Sequence, residues 1–228
     1  MGGFLPYILL VFIPSIAITG WAAWRVRSTY AKWSKVDSGI QLSAFDFARR
    51  LLDRQGLTDV RIEPVEGQLT DHYDPRGKVL RVSSTVAGKP QLGNYDPTDQ
   101  MLGVPASTGL SVAAAAVIAH EVGHAMQDRD RDPWMSVRQA IVPAVQIGSS
   151  IGPWLIIGGV IFTFVTLPVE IGASGKALAF VSDLGIQGEK QTGARDVLKA
   201  AAWTYVAAAL TALLTFLYYL LLIVGRRD

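Results

Sequence analysis

The chain has 228 residues, half of them hydrophobic and 18% charged, with a net charge of +2. So nearly neutral a chain, without a long run of Lys and Arg, carries no electrostatic footprint for nucleic acid. It has no cysteine, which excludes disulfides and thiolate zinc sites and leaves His, Asp, Glu or water for any metal.

Phe4 to Trp24 is apolar apart from Ser15 and Thr19, and about 21 such residues span a bilayer. The stretch lacks a basic start and a small-residue cleavage site, so residues 1–24 read as an anchor and not a cleavable signal. Pro6 and Pro14 predict kinks, which a membrane helix tolerates. Trp21 and Trp24 close it as interfacial aromatics. Arg25, Arg27, Lys32 and Lys35 follow, so this flank is expected in the cytoplasm and the N-terminus outside.

Residues 25–138 form the polar part. Ser43 is a predicted N-cap with Asp46 three residues on, and Phe45, Ala48, Leu51 and Leu52 fall at helical spacing up to Gly56. Val60–Val65 and Lys78–Ser83 read as two strands. The turn residues Asp74-Pro75-Arg76-Gly77 between them predict a small sheet, with a wide-looped hairpin as its simplest form. Residues 87–106, rich in Gly, Pro, Asn and Asp, read as a loop near the functional site. Leu110–Gln127 is Ala-rich and predicts a helix, closed by Asp132-Pro133.

Two more apolar blocks complete the chain. Ala140–Val169 is interrupted by Gln146, Ser149 and Ser150. Ala200–Val224 is followed by Arg226 and Arg227. The expected division is therefore an anchor (1–24), a polar core (25–138), a membrane segment or short hairpin (139–169), a connecting region (170–199) and a C-terminal membrane helix (200–228).

His120-Glu121-Val122-Gly123-His124 lies on the Ala-rich predicted helix, and two of the chain's three histidines are in it. Side chains at i and i+4 share a face, so both imidazoles can reach one ion. Zinc suits imidazole nitrogen and tolerates an open coordination position for water. Glu121 stands about 100° round the helix. From there it can act as general base, taking a proton from the attacking water and passing it to a leaving amine. Ala119 and Gly123 are small and let the helix pack closely.

Catalytic zinc usually takes three protein ligands. The residues leave His72, Glu170 and several Asp open as the third. Glu170 ends an apolar block, where a carboxylate is costly unless paired, metal-bound or at the interface. His72, beside the Asp74–Gly77 turn, is a candidate alternative ligand, an oxyanion donor or a plain turn histidine.

Ala31–Val36, Leu69–Arg76, Lys78–Ser83, His120–Gln127, Thr166–Glu170 and Ala202–Ala208 together resemble the YugP-type neutral zinc metallopeptidases, bacterial membrane proteins related in pattern to HtpX-like peptidases. The resemblance runs through nearly the whole chain. The three apolar blocks and the short strands predict an α-helical membrane protein with about three membrane-embedded segments and a small α+β domain, and the resemblance implies that this domain is a zincin-like metallopeptidase of gluzincin type. It further implies zinc, with His120, His124 and Glu170 as ligands and Glu121 as base, in a bacterial inner membrane with the site facing the cytoplasm. The chain departs from the family after Glu170. Ile171-Gly172-Ala173-Ser174-Gly175-Lys176 stands where the family has Phe-Asp-Ala-Ser and a basic pair, so an acidic support behind the ligands is missing.

The family also has two spans between the metal helix and that Glu. Here about 30 residues are available where two full spans need about 40. A single crossing would separate Glu170 from the histidines, so a short hairpin turning at Gly158-Gly159 is expected to return it. The resulting expectation is a membrane-anchored zinc endopeptidase that hydrolyses peptide bonds through a zinc-activated water. Its substrates would be membrane-associated proteins or peptides pairing with a sheet edge. The alternative is a catalytically degenerate metal-binding scaffold.

Overall fold

The computed structural model describes residues 4–87, 109–148 and 153–225, with the side chains of 144–158 left aside. The predicted 87–106 loop lies almost wholly outside the described residues. The chain divides into two compact units. One comprises residues 1–28, 131–171 and 199–228, and the other residues 29–130 and 172–198.

The first unit is helical. α1 (Phe4–Tyr7) leads through a π-helical turn (Ile8–Phe12) into α2 (Ile13–Trp33). Pro14 lacks an N–H for the ladder. The helix meets it by widening, so that the Ile13 N–H donates to the Ile8 carbonyl five residues back. The expected kink is thus a π-bulge. α7 (Glu189–Val224) belongs to this unit from Lys199 onward. Tyr7 meets Tyr218 edge-on at 5.2 Å and Trp21 meets Trp203 at 5.5 Å. Leu5, Leu10, Phe164, Leu221 and Ile223 stay exposed, a surface that suits lipid and not water. Among the described residues, three helices are long and apolar enough to cross a membrane: Leu5–Trp33, Gly159–Asp183 and Glu189–Val224.

In the block read as Ala140–Val169 the described residues belong to α5 (Pro133–Gly148) and α6 (Pro153–Asp183). Residues 149–152 lie outside the described residues. The turn expected at Gly158-Gly159 is not there. α6 runs through both glycines, since an apolar setting that must satisfy every backbone group keeps glycine helical. Asp132-Pro133 opens α5 as much as it closes the preceding helix. Asp132 Oδ1 accepts from the N–H groups of Trp134 and Met135 at 3.0 Å each, with proline at the first helical position. The 170–199 connecting region is mostly helix, shared between α6 and α7.

The second unit is α+β. Ser43 caps α3 (Ala44–Arg54), accepting from the Asp46 N–H at 3.1 Å. Phe47, Ala48, Leu51 and Leu52 are the buried stripe. Gly56, at φ +70°, ends α3 in a left-handed cap, with the Leu57 N–H returning to the Leu52 carbonyl. β2 (Arg61–Val65), β3 (His72–Asp74) and β4 (Val79–Ser83) form a sheet in the order β2-β4-β3. The two strands expected to form a hairpin pair instead in parallel, Arg61 with Val79 through Val65 with Ser83. The hairpin is β3–β4, with Tyr73 opposite Leu80. The Asp74–Gly77 turn serves that shorter pair, and the residues between β2 and β3 are the crossover that a parallel pair requires. β1 (Asp37–Ile40) pairs with β5 (Leu110–Ser111).

α4 (Val112–Arg129) is the core helix of this unit, capped by Ser111. It is buried on almost every side, as an alanine-rich helix without a polar face should be. Ala113, Ala115, Ala116, Ala119 and Val122 are all at 0% exposure.

Candidate metal centre

α4 presents His120 and His124 one turn apart, their rings edge-on with centroids at 4.6 Å. The residues of α6 from Gly172 onward belong to the same unit as α4 and pack against it with little room. A Cβ on Gly123 would come within 2.8 Å of the Ala173 carbonyl oxygen. Ser174 Oγ lies 3.2 Å from His120 Nδ1. Glu170 is one turn earlier on the same α6. His120, His124 and Glu170 each offer a ligand atom, and these atoms all lie within 4.8 Å of one another. Among the described residues no other trio of His, Asp or Glu forms such a group.

The donor set fits zinc. Two imidazoles and one carboxylate are the mixed nitrogen–oxygen set of an open catalytic site, and three protein ligands leave a fourth position. Burial adds to the fit. Glu170 is 3% exposed and His124 7%, so the cluster gathers charge that an ion would compensate. Arg138 of α5 supplies part of that compensation, its Nη1 donating to Glu170 Oε1 at 3.2 Å. Arg138 precedes the second apolar block, and only a position near Glu170 gives it meaning.

Glu121 is buried beside the histidines. Its Oε2 accepts from the Tyr73 backbone N–H at 2.8 Å. Tyr73 also donates its phenol to Asp128 Oδ2 at 2.9 Å. Strand β3 is therefore tied to α4 at two levels, two turns apart. Burial, then the Asp128 hydrogen bond, pushes the Tyr73 phenol well above its usual range. Neighbouring Asp71 accepts from Ser83 N and Ser83 Oγ at 2.7 and 2.6 Å. Its burial raises its pKa despite those bonds.

His72 alternates with Tyr73 along β3 and faces the other way. Its Nδ1 donates to the Thr70 carbonyl at 2.8 Å, and its Nε2 accepts from Arg81 Nη1 at 3.2 Å. It does not belong to the His120–His124–Glu170 group. Its neighbour Tyr73 makes the contact to Glu121, through a backbone group that carries no signal in the residue type. Gln127 and Ser174, which touch the two histidine rings, also escape a motif search. Gln127, at three residues from His124, could have been found by helical spacing alone.

The sequence profile of the family described as "Putative neutral zinc metallopeptidase" matches residues 8–94, 89–164 and 157–224. The "Putative membrane protease YugP" of Bacillus subtilis (strain 168) is 35% identical over 243 residues, covering 97% of this chain and 99% of that protein. No solved structure matches. The family implies zinc, for which the clustered His120, His124 and Glu170 provide suitable donors. With the match extending through the metal helix, Glu170 and the apolar helices, this chain belongs to the neutral zinc metallopeptidase family.

Proposed function

We propose that the chain is a membrane-anchored zinc endopeptidase with a zincin-like core, and that His120, His124 and Glu170 hold the ion. The observation that carries this reading is the convergence of those three ligand atoms within 4.8 Å, with Glu121 next to the first of them. Zinc at such a site supplies Lewis acidity, polarising a peptide carbonyl and lowering the pKa of water to about 7. Glu121 is the general base. It takes the proton of the attacking water and delivers it to the leaving nitrogen. The Tyr73 N–H holds one carboxylate oxygen of Glu121 in place. Arg138 holds Glu170 from behind.

The substrates on this reading are proteins or peptides in or beside the membrane, which the candidate membrane helices support. The basic residues Arg25 to Lys35 after the first apolar stretch support a reading with the catalytic unit on the cytoplasmic face of a bacterial inner membrane and several helices crossing it.

The test uses detergent-purified protein. Wild type should hold one zinc per chain and cleave casein. Glu121→Gln should keep the zinc and lose cleavage by about 10²–10⁴-fold. Glu170→Gln should lose zinc affinity; unchanged affinity would retire Glu170 as a ligand. Zinc without cleavage in wild type, over a range of unfolded and membrane substrates, would favour a scaffold that binds metal and does not cut.

A further inference from the structure

We propose that Gln127 is a positioning residue of the metal centre, and that glycine at 172 provides the slot that lets it act. The inference rests on the reading of His124 as a zinc ligand. Gln127 lies three residues after His124 on α4, on the same face. It is 1% exposed, unusual for a side chain with four hydrogen-bonding sites. Its Oε1 lies 2.9 Å from His124 Nδ1.

An amide oxygen only accepts, so the imidazole proton sits on Nδ1 and Nε2 is the nitrogen that would ligate the ion. The other ring is also held at this nitrogen, with Ser174 Oγ 3.2 Å from Nδ1 of His120. Each ring is thus held by its Nδ1, one from α4 itself and one from α6.

The slot is on α6. A Cβ on Gly172 would stand 2.8 Å from Gln127 Nε2 and 4.0 Å from its Cδ. The amide group occupies the space that any larger residue at 172 would fill. Gly123 makes the matching concession on α4, its face lying against the backbone of Ala173. The two cases differ in kind. At Gly123 the obstacle is backbone, which cannot move cheaply. At Gly172 it is the end of a flexible side chain, which can swing aside. A methyl group at 172 therefore leaves the fold standing while driving the amide off His124.

Zinc affinity of metal-stripped protein in detergent, measured by competition with a chelating dye, tests this together with the thermal midpoint of the metal-free form. Gln127→Met keeps the volume and removes the acceptor. It should weaken zinc about 10–100-fold. Gln127→Glu keeps an acceptor and should bind zinc at least as well as wild type. Gly172→Ala should weaken zinc similarly with the metal-free midpoint unchanged. In a Gln127→Ala background, where the slot is empty, Gly172→Ala should cost nothing further. The Co2+-substituted absorption spectrum should change in the first and third variants and not in Gln127→Glu. Wild-type zinc affinity in Gln127→Met, or additive losses in the double variant, overturns the proposal. So does a fall in zinc affinity matched by a fall in metal-free stability. If Gln127→Met does not fold, the Gly172→Ala pair decides alone. A wild type that binds no zinc sinks the ligand reading itself, whereas a wild type that binds zinc beside an indifferent Gln127→Met sinks only this inference.

Discussion

Glu170 is an anion on an otherwise apolar stretch of α6, and Arg138 answers it across the first unit at 3.2 Å. Removing one partner of a mostly buried pair takes away part of the other's compensation. Arg138→Ala should therefore destabilise the metal-free protein by about 2 kcal/mol, discounted because Arg138 is partly exposed. Saturating zinc should raise the thermal midpoint more in Arg138→Ala than in wild type, because the ion takes over the cation's role. Equal zinc-induced shifts would count against Glu170 as a ligand.

A second residue-scale prediction concerns the β3–β4 turn. Asp74 Oδ1 accepts from the Arg76 and Gly77 N–H groups at 3.0 and 3.2 Å. The Gly77 bond is the largest cause of its lowered pKa. A carboxyl with a depressed folded pKa contributes stability that is present above its unfolded pKa of about 3.9 and lost as pH falls through the folded value. Asp74→Ala should lower the midpoint at pH 7 by on the order of 2–4 °C. The gap to wild type should close as the pH drops below the ordinary carboxylate range, as thermal scans at stepped pH would show.

At the scale of elements, the second unit depends on close approaches made at glycine. Helix propensity alone favours Gly123→Ala by about 1 kcal/mol. The 2.8 Å approach of a Cβ to the Ala173 carbonyl oxygen reverses the sign, because α4 and α6 would have to separate. A net loss of about 1–3 kcal/mol is expected. Gly193→Ala is predicted to be worse, since its Cβ would enter the Trp33 ring at 2.4 Å and Trp33 is itself core. Unfolding midpoints of the two variants, compared with the tolerated Gly172→Ala, rank the three contacts. The β3 strand is held less by its short pairing with β4 than by Tyr73, which bridges to Glu121 and Asp128 on α4. Tyr73→Phe keeps the backbone donor and removes one tie. It should lower stability by about 1 kcal/mol and leave zinc stoichiometry unchanged.

At the scale of the whole molecule, α7 is 36 residues long, about 54 Å, while a hydrocarbon core is about 30 Å thick. Its early turns carry Glu189, Lys190, Arg195, Asp196 and Lys199, and no charge follows through Val224. The lipid-facing length therefore begins near Ala200. On the proposed cytoplasmic placement of the site, the first helix would enter from outside and α7 would leave to the outside. Both termini are then predicted to lie outside the cytoplasmic membrane, against the pull of Arg226 and Arg227. Epitope tags at either end should be accessible in intact spheroplasts, and a tag shielded at the C-terminus would contradict this path.

The sequence alone determined the chemistry-bearing helix. Spacing on a helix is a local property, so His120, Glu121 and His124 on α4, the Ser43 cap and the Gly56 stop could be read from neighbours a few residues apart. The three apolar stretches were equally legible, because membrane solubility depends on composition along one segment. Strand pairing was not. Arg61–Val65 and Val79–Ser83 share a register only because the residues between them cross over, and nothing local separates that from a hairpin. The turn expected at Gly158-Gly159 failed for a related reason, since glycine turns in water but stays helical where no water can take its backbone bonds. Glu170 came from resemblance, and its reach to the histidines depends on how α6 packs on α4. Tyr73, Arg138 and Ser174 emerged only from the tertiary structure. Their contacts with Glu121, Glu170 and His120 are a backbone N–H, a counter-charge and a hydroxyl, groups that mean nothing until packing brings them to their partners.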